Sequence, residues 1–329
     1  MQRIIAVDWS GDKGPGQKKK IWAGVWTCPD LKFGSPGVKP GKVDGGSVLL
    51  EAGRTRKELI AWLIELARET PRMVVGIDCC FSYPSWFLAE HGCTTVFDLW
   101  QHVAAGQGER WLGTTCTEPE RDPRFWGRPH KRPAEFSGSY RHRMMRRTDM
   151  ENKIEQSLPG GDAERAALMR GVTPKSPFQI GGSGAVGTGS LRAMPWLLHL
   201  RDHGFRIWPF EDAALDKQPL LVEMYTRLLT GPVKKSNPDA RHAYLKQRRT
   251  GPGKDPLYAG LTRPVLVKAE SSEDAFDALV CCLEMTRWRH QFPPLRRTLD
   301  PTLQLEGITW RPGVTEAAIP VPQLPIEKD

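Results

Sequence analysis

Two short apolar runs that each end in an aspartate constrain the fold of this chain most. Residues 4–8 read IIAVD and residues 73–78 read MVVGID. Runs of this length and composition are typical of strands buried on both faces of a sheet. A helix predicted over residues 56–69 separates them, and a crossover through a helix makes two strands parallel. We therefore expect Asp8 and Asp78 at the same end of one sheet.

Two carboxylates side by side repel each other unless they share a cation or a proton. Binding and active sites of open α/β sheets also lie beyond the carboxyl ends of the strands. The pair Asp8 and Asp78 is therefore a candidate metal site. The alternative is that each aspartate only begins a turn, which Gly11 would complete for Asp8.

Two further predicted elements carry acidic residues. Residues 220–225 form an apolar strand that contains Glu223, and residues 271–289 form the strongest predicted helix. Asp274 and Asp277 are three residues apart and therefore project from one side of that helix. Asp277 adjoins the apolar face of the helix, an unusual position for a plain surface charge. The alternative role for Glu223 is an ion pair, for which Arg227 is the obvious partner.

The order of predicted elements indicates an α/β protein with a mixed central sheet flanked by helices. Strands over residues 20–27 and 47–50 precede the first long helix. Residues 1–292 are predicted to form a single domain, in which residues 107–160 are a basic, largely irregular insertion. Residues 293–329 are Pro-rich and are predicted to be a wrapping or loose C-terminal extension.

The insertion holds most of the excess positive charge of the chain, whose formal net charge is +9. Between residues 121 and 147, nine Lys and Arg face two Asp and Glu, and four aromatic residues are interleaved. Single-stranded nucleic acids bind surfaces of this kind, where cations contact phosphates and rings stack on bases. The alternative is a solvated insertion whose aromatic residues anchor it to the core. We expect DNA or RNA to contact Lys131, Arg132, Arg141, Arg143, Arg146 and Arg147.

A glycine-rich stretch follows the insertion. Gly182, Gly184 and Gly187 match the G-x-G-x-x-G pattern of dinucleotide-binding proteins. The preceding strand is very short, however, and Pro209 interrupts the next strand before its acidic residues. We therefore expect no dinucleotide cofactor and place this stretch in a loop beside the substrate cleft, with a nucleotide site as the alternative.

Other features bear on the cellular location. No apolar run approaches the ~20 residues that a membrane-spanning helix needs. The seven cysteines include no C-x-x-C pair. We expect reduced thiols in a cytoplasmic protein, with no zinc site, no disulfides and no membrane partner.

The ordered set of motifs resembles the ribonuclease H-like fold, with three strands, a helix, a strand ending in Asp and a later acid-bearing helix. The DAFDAL run at residues 274–279 is similar to the D-A-x-D-A-L helix of RuvC-type resolvases in that superfamily. More narrowly, the chain resembles the family called domain of unknown function 429, whose members are predicted RNase H-like nucleases. One departure is the CCF tripeptide at residues 79–81, where members usually have a proline and glycine soon after the second Asp. The motifs that carry this narrower resemblance are residues 6–8, 76–78, 181–195, 222–225 and 277–279.

The resemblance implies a nuclease that hydrolyses nucleic-acid phosphodiester bonds with two Mg²⁺ or Mn²⁺ ions ~4 Å apart. These cations take oxygen ligands. By the same resemblance, Asp8 would bridge both ions. Asp78 or Glu223 would complete one site. Asp277 would complete the other, with Asp274 in reserve.

Two other functions are compatible with the sequence. The first is an ATP-dependent phosphotransferase of the actin and sugar-kinase type, which needs a Gly-rich phosphate turn after both early strands. Residues 8–11 half satisfy this need and residues 78–81 do not. The second is a nucleic-acid-binding module without activity. Titration with ATP tests the first, and metal-independent binding without cleavage would favour the second.

Overall fold

The computed structural model describes residues 1–31, 40–113, 121–127, 130–134, 143–154, 171–182 and 184–314. Within these ranges one mixed sheet has seven strands. In chain order they are β1 (Arg3–Asp8), β2 (Trp22–Thr27), β3 (Gly41–Val43), β4 (Gly46–Glu51), β5 (Met73–Asp78), β6 (Arg206–Trp208) and β7 (Leu220–Met224). Across the sheet their order is β3-β4-β2-β1-β5-β7-β6.

The central strand β1 joins an antiparallel half of the sheet to a parallel half. On one side β1 pairs antiparallel with β2, β2 with β4 and β4 with β3. On the other side β1 pairs parallel with β5, β5 with β7 and β7 with β6. The predicted parallel pairing of the two Asp-bearing strands is confirmed, and so is the α/β class with a mixed sheet.

Helices cover both faces of the sheet. In chain order they are α1 (Gln17–Lys20), α2 (Arg56–Glu69), α3 (Ser85–Glu90), α4 (Val96–His102), α5 (Gly108–Trp111), α6 (Arg147–Ile154), α7 (Gly187–Asp202), α8 (Thr226–Thr230), α9 (Pro238–Thr250), α10 (Pro256–Ala259), α11 (Arg263–Ser271), α12 (Glu273–Arg287) and α13 (Pro301–Glu306). Thr55 and Glu58 form the predicted capping box of α2, and Ser272 caps α12. In the part of the chain that the structure describes, no helix has both the length and the hydrophobicity to cross a membrane.

Successive side chains of β1 point alternately into two separate hydrophobic cores. Ile5 and Val7 point into one core, which α2, α3, α4 and α7 complete. Ile4 and Ala6 point into the other, which α9 to α12 complete. All four side chains are 0% exposed, as expected for a strand buried on both faces.

Helix α12 lies close to the sheet because the strands beneath it carry small residues. Gly24 and Gly76 are register partners of Ala6 on the two neighbouring strands. A Cβ atom at Gly24 would lie 2.3 Å from the carbonyl oxygen of Ala278, so a larger residue there would push the helix outward. This row of small residues sets the depth at which α12 delivers its acidic side chains.

The described part of the C-terminal extension wraps onto the second core. Leu295, Leu303 and Trp310 are buried there. The backbone N–H of Trp310 donates to the carbonyl oxygen of Glu223 at 2.8 Å, next to the end of β7. Of the two forms expected for the extension, residues 293–314 show the wrapping one.

Candidate carboxylate site

The ends of β1 and β5 hold Asp8 and Asp78 next to each other. Val7 pairs with Ile77, so the two aspartates are the next residues along neighbouring parallel strands. Asp78 is in register with Met224, a member of the core under α12, so both aspartates lie on the face that this helix covers. Their predicted placement at one end of the sheet is confirmed.

Asp277 lies beside these two aspartates from the first half of α12, where the whole residue is 5% exposed. Burial, reinforced by the charge of Asp277, raises the pKa of Asp78 to about 7. Burial and the charges of Asp277 and Asp78 raise the pKa of Asp8 well above its usual value. Burial also raises the pKa of Asp277. Because these three acids lie within each other's fields, we name them together the aspartate centre.

The ammonium group of Lys235 is the counter-ion of the aspartate centre. Its Nζ donates to Asp277 Oδ2 and lies 3.4 Å from Thr226 Oγ1. Burial alone would lower the pKa of Lys235, but the charges of the aspartate centre raise it above its usual range. In return, the charge of Lys235 opposes the effect of burial on the pKa of all three aspartates.

One oxygen of the aspartate centre has no partner. Asp277 Oδ1 is buried and accepts no hydrogen bond from any described residue. Buried polar atoms normally have partners, and an exception points to a function or to an ion. The described ranges contain no group of three or more His, Cys, Asp or Glu side chains arranged to hold a metal ion. Among the described residues, Lys235 is the cation that the carboxylates of the centre share.

Glu223 does not join the aspartate centre, which corrects its assignment as a metal ligand beside Asp78. It is in register with Ile77 on β5, so strand alternation turns it to the opposite face of the sheet. There its oxygens accept hydrogen bonds from the Arg146 guanidinium at 2.6 and 2.7 Å. The Phe81 N–H and the Thr309 hydroxyl each donate at 2.7 Å. We name these four residues the glutamate network. Glu223 is thus in an ion pair, as the alternative predicts, but its partner is Arg146 and not the expected Arg227.

The glutamate network also corrects the assignment of Arg146 as a nucleic-acid-binding residue. Arg146 is 1% exposed and pairs in addition with Asp149 at 3.1 Å, so it cannot reach a phosphate. Arg147 is committed to protein partners too, with Glu151 at 2.8 Å and Asp300 at 2.6 Å. Arg146 and Arg147, both expected to bind nucleic acid, therefore form ion pairs inside the protein instead.

The other basic residues of the insertion have different surroundings. Lys131 and Arg143 are exposed, and Arg132 is partly buried near the ring of Trp126. Arg141 lies outside the described residues. Phe125 is 0% exposed inside an aromatic cluster, so it anchors the insertion to the core as the alternative predicts.

A cleft of about 640 Å³ opens beside the aspartate centre, and Asp78 forms part of its wall. The turn after β1 and the glycine-rich stretch form two further walls. Trp9 Nε1 donates to the Gly189 carbonyl oxygen at 3.0 Å, and the Arg192 guanidinium donates to the Gly11 carbonyl oxygen. These bonds join the two walls, and the glycine-rich stretch lies beside a cleft as expected.

Sequence reasoning misses Lys235 and Thr226. Lys235 is one of several cations in residues 234–255, and no spacing distinguishes it from its neighbours. Thr226 directly follows the motif at residues 222–225, and that position after a strand end is a usable signal. Hydrogen bonds from its hydroxyl and its N–H oppose the rise in the pKa of Asp78.

Comparisons with protein-family models, with curated proteins and with solved structures found no match. The family resemblance therefore continues to rest on the sequence motifs alone. The function has to follow from the placement of the aspartate centre, the cation beside it and the adjoining cleft.

Proposed function

We propose that this chain is a Mg²⁺- or Mn²⁺-dependent nuclease that hydrolyses phosphodiester bonds in nucleic acid. One observation carries the proposal: Asp8, Asp78 and Asp277 meet from two strands and one helix around a single cation, with one oxygen left open. Carboxylates that need a cation to offset their repulsion, and that rigid elements hold in place, suit a metal site.

The donor set fits a hard divalent cation. All three residues offer carboxylate oxygens, the ligands that Mg²⁺ and Mn²⁺ prefer. Asp274 is partly buried one turn earlier on α12, and its charge adds to the effect of burial in raising the pKa of Asp8. It therefore stays the reserve ligand. When bound, the cation would lower the pKa of an attacking water and stabilise the leaving oxygen.

The residues of the chain have distinct tasks in this proposal. The paired strands hold Asp8 and Asp78 in a fixed relation, and the row of small residues brings Asp277 down to them. The cleft beside Asp78 gives the substrate access. The element order behind the resemblance is also present, because antiparallel strands, a helix and a parallel strand ending in Asp78 follow one another.

The test is cleavage of labelled single-stranded DNA, RNA and hybrid substrates by the full-length chain with Mg²⁺, Mn²⁺ or EDTA. We expect EDTA to abolish cleavage. D8N should lower turnover at least ~100-fold, as loss of one preorganised charge-stabilising group commonly does. D202N, the same change at an exposed residue, should cleave as the wild type does. Full turnover of a folded D8N protein, or cleavage that EDTA does not affect, would contradict the proposal.

A second function is favoured by the size of the cleft. About 640 Å³ falls in the range of small-molecule sites, and the turn after β1 lines it as a phosphate turn would. The actin and sugar-kinase alternative therefore stays open. Calorimetric titration with ATP and Mg²⁺ tests it: saturable binding that D8N abolishes, without cleavage of any nucleic acid, would favour the phosphotransferase.

A further inference from the structure

Lys235 holds the place beside Asp277 that a divalent cation would need. Its Nζ donates to Asp277 Oδ2, which leaves Oδ1 as the open oxygen. The two side chains are only 20% and 7% exposed, so water screens the pair weakly. An ammonium group and a divalent cation in contact with one carboxylate would repel each other strongly in such a site. Occupation by one therefore disfavours the other.

The backbone that carries Lys235 is anchored beside α12. Arg241 is 4% exposed and donates to the carbonyl oxygen of Lys235. It also donates to the carbonyl oxygen of Glu270 at 2.8 and 3.2 Å, near the end of α11 and just before α12 begins. An ammonium group displaced from Asp277 therefore stays within a side-chain length of the aspartate centre. Its flexible four-carbon stem lets it take a second position there.

We propose that Lys235 and a divalent cation exchange at Asp277, and that the released ammonium group then binds a phosphate of the nucleic acid. The proposal rests on the nuclease function and adds a substrate-binding residue to it. Before the metal binds, Lys235 offsets the repulsion among the three carboxylates. Afterwards the same charge is available to the phosphate, a common partner of lysine.

The first test measures Mn²⁺ binding to the full-length chain by calorimetry, with no nucleic acid present. K235Q is compared with K234Q, which removes the same charge from the neighbouring exposed position. We expect K235Q to bind Mn²⁺ at least ~10-fold more tightly than the wild type, because a competing charge-assisted hydrogen bond is gone. K234Q should bind as the wild type does. Equal or weaker binding by K235Q would overturn the exchange.

The same titration separates this inference from the proposed function. If neither the wild type nor K235Q binds Mn²⁺, the metal-dependent function fails and the exchange fails with it. If the wild type binds Mn²⁺ and K235Q gains nothing, only the exchange fails. K235R guards against poor folding of K235Q. Its guanidinium can hold the carboxylate with two hydrogen bonds, so it should bind Mn²⁺ more weakly than the wild type; tighter binding would overturn the exchange.

The second test concerns the phosphate and uses cleavage at saturating Mn²⁺. K235Q should have a higher KM for nucleic acid than K234Q and a lower turnover, although it binds the metal more tightly. A purely inhibitory counter-ion would give the opposite result, because its removal would leave KM unchanged and turnover equal or faster. That result would overturn the phosphate role of Lys235.

Discussion

Two acidic sites at the same end of the sheet are built in opposite ways. In the glutamate network, Arg146, Phe81 and Thr309 supply donors to both oxygens of Glu223. In the aspartate centre, three carboxylates share the ammonium group of Lys235, and one buried oxygen has no donor. Strand alternation separates the two sites onto opposite faces of the sheet.

The difference shows how to distinguish structural from functional buried acids. A buried acid whose two oxygens both accept hydrogen bonds from the protein needs no further partner, and it contributes to the stability of the fold. A group of acids that leaves one buried oxygen without a donor, and whose pKa values burial raises, depends on something that the chain itself does not provide. The aspartate centre belongs to the second group, and the following experiments test that division.

The largest expected effect is on the glutamate network. R146M leaves Glu223 as a buried charge without its main donor, and removal of one partner from a buried ion pair costs about 3–5 kcal/mol of unfolding free energy. Urea denaturation followed by circular dichroism measures the loss. R143M makes the same chemical change at an exposed position and should alter stability little. Equal stability of the two variants would break the comparison, because Glu223 would then not need its pair.

The next effect is the dependence of stability on pH. The pKa of Asp78 rises from its usual value of 3.8 to about 7 in the folded chain. Well below pH 3.8, both the folded and the unfolded chain hold this proton, and its contribution to the stability of the fold is fully present. As the pH rises toward 7, the unfolded chain releases the proton first, so stability falls by at most about 1.4 kcal/mol per pH unit for this one proton. D78N should flatten the slope between pH 4 and 7.

Urea denaturation at a series of pH values measures this slope. E58Q is the control, since hydrogen bonding to the Thr55 backbone holds the pKa of Glu58 at about 2. Its titration has the opposite sign and lies below pH 4.5, so E58Q should leave the slope between pH 4.5 and 7 unchanged. An unchanged slope in D78N would show that Asp78 is not held protonated by burial near Asp277.

The smallest effect is expected for Asp274. Its position in the first turn of α12 favours a negative charge by ~0.3–1 kcal/mol. Burial and the charge of Glu273 raise the pKa of Asp274 and so oppose that gain. D274N should therefore change the free energy of unfolding by less than the larger of the two contributions and retain most metal-dependent cleavage. A loss of cleavage as large as that of D8N would make Asp274 a ligand in its own right.

Local patterns predicted much of the fold. Apolar runs gave the positions of β1, β5 and β7, and the crossover through α2 placed Asp8 beside Asp78. Local patterns could not predict on which face of the sheet Glu223 lies, because this depends on the register between β5 and β7. A shift of one residue would turn every side chain of that strand to the other face, and no local pattern encodes the register.

Long-range pairing explains the other differences. Arg146 and Glu223 are 77 residues apart, and Lys235 and Asp277 are 42 apart. Whether a cation in a basic stretch faces solvent or a buried acid depends on such pairings, which composition does not record. The charge of the insertion therefore indicated nucleic acid for Arg146, while the folded chain uses this residue internally.

The position of α12 late in the chain has a consequence during protein synthesis. Asp8 and Asp78 leave the ribosome well before Lys235 and Asp277. At roughly 5–20 residues per second, the interval is on the order of ten seconds or more. During this time β1, β2 and β5 can pair, but the face with Ala6 has no helix over it. A nascent chain therefore exposes an apolar surface until α12 is made, and it carries two acids without their counter-ion until Lys235 is made.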